Sequence, residues 1–426
     1  MLQTSRLQNN LGYSQTPDQI IFELEERYGA HHYERLPVVI RQAEGSWLTD
    51  IHGNKYLDCL AAYSAANPGH NHPKIVQALV AALNGGYGSV ISNVVYTDPL
   101  GLFLNRAAHF IPQLGTRFGS NGNKVLPKNG GVESVETALK TARFYGWKVK
   151  GIPDGKQEII VFDNNFHGRM TTVISFSSKT LYREGFGPLT PGFISVPFGD
   201  ATAVERAITP NTCGILVEPF QGEGGMNIPH VGFLKALREV ADKHDLLLIF
   251  DEIQVGLGRT GKRFCFEHEG VVPDGLILGK ALSGGLVPLS LFATNAAVMD
   301  LVFKRGSDGS TYGGYPLACV AGLAAFDLFE AERFDERSAL QGAKLILRLQ
   351  DIASKSDKVK EVRGKGLFIG IEVRQGEAMK FCRELLGQGL LVNDSHGHTI
   401  RISPPLIIDD VELDFLCERI EKVLAK

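Results

Sequence analysis

Leu246-Leu247-Leu248-Ile249-Phe250-Asp251-Glu252 and Leu276-Ile277-Leu278-Gly279-Lys280-Ala281-Leu282-Ser283-Gly284-Gly285 are the two stretches on which the reading of this chain turns. Each begins as an unbroken apolar run. A strand exposed on one face alternates apolar and polar residues, whereas a strand buried on both faces does not. The runs therefore read as central strands of a mostly parallel sheet covered by helices. Each closes on a charge, Asp251 and Lys280. A charge delivered by a buried strand must be paired, solvated or bound to a ligand.

The same signature recurs outward from this pair. Glu158 to Phe162, Phe193 to Val196, Thr212 to Val217 and Ser290 to Thr294 read as further strands. Helical spacing intervenes, notably at Gly131 to Tyr145 and His230 to His244. This alternation defines an α/β class with a parallel sheet. Before it, Gly45 to Cys59 reads as a small hairpin turning at His52-Gly53-Asn54. After it come long helices at Pro316 to Glu330 and Arg337 to Ala353. Short strands around Val359 to Arg374 and Thr399 to Ile402, with a final helix Asp410 to Leu424, complete an α+β unit. The expected division is an amino-terminal segment 1–74, a large domain 75–315 and a small domain 316–426, the two end segments packing together.

With 426 residues, 44% hydrophobic and 21% charged, the composition is that of a globular protein with a sizeable core. A net charge of -3 without a basic block gives no footprint for nucleic acid or an anionic membrane. No apolar run is long enough to span a bilayer. Met1-Leu2-Gln3-Thr4-Ser5-Arg6 lacks the apolar core of a secretory leader. Cys59, Cys213, Cys265, Cys319, Cys382 and Cys417 form no CxxC pair, so no zinc site is expected. Reduced cysteines in a cytoplasmic enzyme are the expected state.

Five separate pieces surround the Asp251 and Lys280 pair. Asn129-Gly130-Gly131-Val132-Glu133 opens a helix and reads either as a plain turn or as an anion nest of free amides. Asn165-Phe166-His167-Gly168-Arg169 follows a strand and offers an aromatic face. Val217-Glu218-Pro219-Phe220-Gln221-Gly222-Glu223 follows another, at the strand edge where open α/β sheets bind ligands. Gln254 lies one turn beyond Asp251. Ser310-Thr311-Tyr312-Gly313-Gly314 adds hydroxyls for a phosphate. A lysine alone is ordinarily a surface charge. A lysine with an acid, an aromatic face and an anion nest points to pyridoxal phosphate, the lysine as Schiff-base former and Asp251 as partner of the pyridine nitrogen. Neither a P-loop nor a dinucleotide fingerprint is present.

These residues also carry a resemblance. Ala62-Tyr63-Ser64-Ala65, Gly69-His70-Asn71-His72-Pro73, Gly185-Phe186-Gly187-Pro188, Phe250-Asp251-Glu252-Ile253-Gln254, Gly279-Lys280-Ala281-Leu282-Ser283 and Ser310-Thr311-Tyr312-Gly313-Gly314 resemble the class III pyridoxal-phosphate aminotransferases. Within that family the pattern is most similar to the ornithine δ-aminotransferase branch. The resemblance runs from about Tyr28 to the carboxyl terminus.

It implies a fold type I transferase and a set of roles. Lys280 would bind the cofactor and shuttle the proton. Asp251 would face the ring nitrogen, and Gln254 the ring's hydroxyl side. Phe166 would stack on the ring, with His167 beside it. Gly131 and Val132 would donate amides to the phosphate. Ser310 and Thr311 would supply hydroxyls, Thr311 reaching the cofactor of a neighbouring subunit, so a homodimer or higher homo-oligomer is expected. Tyr33 and Arg169 would hold the ornithine α-carboxylate, with Tyr63 favouring that donor. Arg401 would take the carboxylate of 2-oxoglutarate after release from Glu223.

The implied reaction is transfer of the ornithine δ-amino group to 2-oxoglutarate, with ping-pong kinetics. The alternatives are a lysine ε- or other ω-aminotransferase, and an amino-acid racemase on the same fold. Three positions depart from the family pattern. His167 stands where ornithine-specific members often carry tryptophan, Gly130 where serine or threonine is usual, and Tyr315 where asparagine is usual.

Overall fold

The computed structural model describes residues 16–425. The segment Met1 to Arg6, read above for a leader, lies outside the described residues. The strands are β1 (Ile40–Glu44), β2 (Trp47–Asp50), β3 (Lys55–Asp58), β4 (Asn123–Lys128), β5 (Glu158–Phe162), β6 (Phe193–Val196), β7 (Thr212–Val217), β8 (Leu247–Asp251), β9 (Gly275–Leu278), β10 (Ser290–Asn295), β11 (Val359–Lys365), β12 (Phe368–Val373), β13 (Leu390–Leu391), β14 (Asn393–Ser395) and β15 (Thr399–Ile402).

A seven-stranded sheet in the order β4-β10-β9-β8-β7-β5-β6 forms the centre. Strands β5 to β9 run parallel, whereas β10 is antiparallel to both β9 and β4. The unalternating apolar runs have a direct structural reason. Ile159, Val161, Leu216, Ile249 and Ile277 pack on one face, with Val135, Ala138, Leu139 and Ala142 of the helix Gly131–Lys148. Ile160, Phe162, Ile215, Val217, Leu248, Phe250, Leu276 and Leu278 belong to a separate core on the other face. Neighbouring residues on one strand thus point into two different cores, so neither can be polar.

Two expectations shift in detail. The edge strand β4 is not legible as a strand, because Asn123-Lys124-Val125-Leu126-Pro127-Lys128 contains a proline and two lysines. Pro127 is tolerated because β4 lies at the sheet edge, where one side of its backbone needs no partner. Lys280 does not close its strand. Strand β9 ends at Leu278, Gly279 intervenes, and Lys280 opens the short 3-10 turn Lys280–Ser283 with φ of 46°.

The segments flanking this sheet are joined to each other. Strands β1, β2 and β3 form an antiparallel meander, and β13 adds to β3 in parallel with Leu390 opposite Leu57. Strands β11, β12, β15 and β14 form a third, antiparallel sheet. The final helix Asp410–Leu424 starts with a capping box in which Asp409 and Glu412 each bond the other's backbone amide. Glu412 also accepts from Trp47 Nε1 at 2.7 Å and Ser46 Oγ at 3.1 Å, so one carboxylate ties that helix to the amino-terminal meander. Among the described residues no helix is long and apolar enough to cross a membrane.

Candidate active site

The carboxyl ends of β5, β7, β8 and β9 point to one edge of the central sheet, and each is followed by a residue with chemistry. Phe166 and His167 follow β5, Glu218 follows β7, Asp251 ends β8 and Lys280 follows β9. Parallel strands place their free carbonyl ends at such an edge, which is why ligands bind there. An inner chamber of about 210 Å3 is lined by Gly131, Val132, Phe166, His167, Glu218, Asp251, Gln254 and Lys280, among others. Phe166, Gln254 and Lys280 also line an outer chamber of about 570 Å3, with Tyr33, Tyr63, Arg169, Glu223 and Arg401. Lys280 therefore stands where the two chambers meet. Ser310 and Thr311 line neither.

In the inner chamber the buried Asp251 is held from two sides. His167 Nδ1 lies 2.7 Å from Asp251 Oδ2, and the amide of Ile253 donates to Oδ1 at 3.0 Å. Since the carboxylate only accepts, His167 carries its proton on Nδ1. Burial alone would push the imidazole pKa down, but the hydrogen bond and charge of Asp251 outweigh it and hold it above the ordinary value. Glu218 accepts from the Phe166 amide at 2.9 Å, and burial raises its pKa to about 7. Burial first, and the Arg401 charge second, lower Lys280 to about 8. A buried lysine beside a guanidinium is favoured as the neutral amine, the form that attacks a carbonyl.

Pyridoxal phosphate, expected from the sequence, fits this set. The side-chain nitrogen of Gln254 is buried without a hydrogen-bond partner among the described residues, a donor awaiting an acceptor. Gly131 starts the helix Gly131–Lys148, where first-turn amides lack intrahelical acceptors. Glu133 does not compete for those amides, because its carboxylate bonds the amides of Gly130 at 2.6 Å and Asn129 at 3.2 Å. A Cβ on Gly131 would come within 2.8 Å of Ile253 Cδ1, so glycine keeps this turn close to the wall of the chamber.

The outer chamber is lined by charge. Arg401, on β15 and 1% exposed in its side chain, donates from Nη2 to Glu223 Oε2 at 2.8 Å, and its guanidinium lies 4.9 Å from the centre of the Tyr63 ring. Lys179 Nζ donates to the other oxygen, Glu223 Oε1, also at 2.8 Å. Burial would raise Glu223, but Arg401 and Lys179 together hold it below the ordinary carboxylate value. Arg169 is exposed and donates to Tyr182 Oη at 3.0 Å, with the Tyr33 ring 5.8 Å away. Among the described residues Arg169 holds no carboxylate.

Tyr63 reaches the chamber from an unusual backbone. Ala61, Ala62, Tyr63 and Ser64 are all left-handed, with φ of 47°, 47°, 59° and 73°. Each non-glycine residue in that region costs about 1–2 kcal/mol. Asp58 anchors the turn, its Oδ1 accepting the amides of Leu60 and Ala61 at 2.9 Å and its Oδ2 lying 2.7 Å from His70 Nε2. Asn393 donates to Tyr63 Oη at 3.1 Å.

Of the acidic strand-edge motif, Glu218 enters the inner chamber and Glu223 the outer, while Gln221 turns away to bond the carbonyl of Asp163 at 2.7 Å. Ser310 Oγ accepts from Asn129 Nδ2 at 3.0 Å, beside the helix-start turn, and Thr311 is exposed. Sequence reasoning missed Lys179, Tyr182, Asn393 and His396. Lys179 sits in a polar loop, Ser177-Ser178-Lys179-Thr180, with nothing local to distinguish it from a solvated lysine.

The residue pattern of the family Aminotransferase class-III matches residues 28–424. An ornithine aminotransferase of Bacillus cereus (strain Q1) is 46% identical over 411 residues, covering 96% of this chain and 100% of the relative. The crystal structure of the ornithine aminotransferase from Toxoplasma gondii ME49 superposes with a TM-score of 0.92 at 35% identity, covering 99% of this chain and 98% of that one. An acetylornithine aminotransferase from Elizabethkingia anophelis gives 0.84 at 39% identity, covering 96% and 98%. With Lys280, Asp251 and the sheet order already in place, these likenesses put the chain in the class III aminotransferases, pyridoxal-phosphate-dependent enzymes of fold type I.

Proposed function

We propose that this enzyme transfers the δ-amino group of L-ornithine to 2-oxoglutarate, giving glutamate 5-semialdehyde and L-glutamate. The observation that carries the reading is the unequal state of the two guanidinium groups. Arg401 is covered by Glu223, whereas Arg169 is open. An amino acid entering the chamber finds its carboxylate site at Arg169 and the Tyr33 ring. Its α-amine is then held with the carboxylate, and the terminal amine is the one free to extend toward Lys280. The ornithine aminotransferases among the relatives support the same donor.

Pyridoxal phosphate, when bound, supplies an aldehyde that condenses with amines and a ring that withdraws electrons from the carbon bearing the nitrogen. The protein supplies the rest. Asp251, fixed by His167, would present a negative charge to the ring nitrogen. Gln254 would offer its amide to the ring oxygen, Phe166 would form a flat wall against the ring, and Gly131 and Val132 would donate amides to the phosphate. The Nζ of Lys280 takes the proton from Cδ of ornithine. In the second half-reaction Glu223 releases Arg401, which binds the α-carboxylate of 2-oxoglutarate. Lys280 then delivers a proton to Cα of the glutamate formed. A bidentate guanidinium orients that carboxylate as well as attracting it.

The assembly belongs to this reading. Thr311 is exposed, and beside its loop lie the exposed Val94, Val95, Tyr96 and Tyr312, with Asn93 Nδ2 donating to Ser310 O at 3.0 Å. Such a patch supports a homodimer in which Thr311 serves the neighbouring site. Six buried, unpaired cysteines fit a reducing, cytoplasmic setting. Division near residues 74 and 315 is supported by the central sheet lying within 123–295 and by the pairing of β13 with β3.

The test is turnover of L-ornithine with 2-oxoglutarate, trapping the cyclised semialdehyde with 2-aminobenzaldehyde. L-Lysine and N-acetylornithine serve as competing donors. Either of them being used well above ornithine overturns the named substrate.

A further inference from the structure

We infer that Lys179 is a positioning residue that receives Glu223 when Arg401 is handed to the 2-oxoacid. The inference rests on the dual-substrate reading above and adds a partner to it. Glu223 is divided between two cations, with Oε2 on Arg401 and Oε1 on Lys179, each at 2.8 Å. Releasing Arg401 without a second partner would strand a largely buried carboxylate, whose side chain is only 25% exposed. An uncompensated buried charge is strongly disfavoured. Because Lys179 already holds one oxygen, Glu223 can leave Arg401 by a small rotation while remaining paired.

The surroundings of Lys179 suit that task. Its side chain is 30% exposed, enough to move with Glu223. It lies 3.4 Å from Tyr182 Oη, which also accepts from Arg169. A continuous polar path thus runs from Arg169 through Tyr182, Lys179 and Glu223 to Arg401, connecting the two carboxylate sites. Of the two cations that hold Glu223 below the ordinary carboxylate value, Lys179 is the one that stays with it when Arg401 departs. The role of Lys179 is therefore to make Arg401 available, not to contact the oxoacid.

Binding of glutarate, a dicarboxylate without a reacting carbonyl, to the cofactor-loaded enzyme tests this by calorimetry. Lys179→Met is expected to weaken glutarate about tenfold, the scale of one charged hydrogen bond. Lys179→Arg is expected to restore it. In single turnovers, Lys179→Met slows the half-reaction with 2-oxoglutarate more than the half-reaction with ornithine, because only the former needs Arg401 uncovered. In a Glu223→Gln background, Lys179→Met is expected to have no further effect on glutarate, because no carboxylate then needs a receiver. Unchanged glutarate affinity in Lys179→Met overturns the inference. So does a tenfold loss that persists in the Glu223→Gln background, which would mean that Lys179 binds the ligand itself. A wild-type enzyme inactive on ornithine would sink the named donor, yet the glutarate cycle would still decide the role of Lys179.

Discussion

His167 Nδ1 and Asp251 Oδ2 lie 2.7 Å apart in a fully buried pair, and the other nitrogen of His167 has no partner among the described residues. The imidazole therefore has one evident polar task, to hold the carboxylate of Asp251. His167→Phe keeps an aromatic volume and removes that bond. It is expected to weaken pyridoxal phosphate about 10–100-fold, the range for a hydrogen bond to a charged group. Fluorescence titration of the apoenzyme measures this. Affinity unchanged in His167→Phe would mean that Ile253 alone fixes Asp251.

Asp251→Asn keeps the shape and removes the charge. Turnover is expected to fall about 10²–10⁴-fold if, as proposed, this anion is what keeps the ring nitrogen protonated. Stopped-flow absorbance of the half-reaction with ornithine reads the loss at the proton-transfer step.

Lys280 provides a pH signature. Its pKa is lowered to about 8, by burial and by Arg401. Below that value the amine is protonated and cannot attack an aldehyde. The rate of cofactor capture by the apoenzyme is therefore expected to rise with pH up to about 8 and then level off. A rise continuing toward the ordinary lysine range would contradict the lowered value. Lys280→Ala is expected to abolish covalent capture and turnover together.

Glu218 gives a second pH dependence, in stability. Its folded pKa of about 7 lies above the ordinary 4.5, so the folded state binds the proton more tightly than the unfolded chain. Stability contributed by this group is complete below about pH 4.5 and is lost as pH rises toward 7. Glu218→Gln should accordingly stabilise the cofactor-free protein more at pH 8 than at pH 4.5, by on the order of 2 kcal/mol. Urea unfolding at the two pH values measures the difference.

Gly222 separates shape from stability. A Cβ at this position would come within 2.0 Å of Gln254 Oε1, the end of a flexible side chain. Gly222→Ala is thus expected to push Gln254 out of place, lowering kcat about tenfold or more by disturbing a cofactor contact. The melting temperature is expected to change little, because the displaced atoms are not core. A large fall in melting temperature with normal kcat would reverse that assignment.

The sequence disclosed the site unevenly, for physical reasons. Asp251 was legible because five apolar residues precede it, and a buried strand cannot end on an unpaired acid. Phe166, Gly131 and Gln254 were legible as companions only once Asp251 and Lys280 had been paired. Strand β4 was hidden by Pro127, since edge position is a property of the whole sheet. Lys179 was hidden more deeply. Its partner Glu223 lies 44 positions away, and the meeting depends on how two loops fold over the sheet edge. The left-handed backbone at Lys280 and at Ala61 to Ser64 was equally hidden, because non-glycine residues there carry no local mark.

That left-handed turn bears on how the donor preference could change over generations. Tyr63 occupies a backbone that asparagine, aspartate and glycine enter readily and that valine, isoleucine and threonine resist. A mutation at Tyr63 is filtered first by conformation and only then by chemistry. On the proposed donor site, the accessible routes to another amine therefore run through short polar side chains at this position, or through Tyr33 and Arg169, whose backbones carry no such filter.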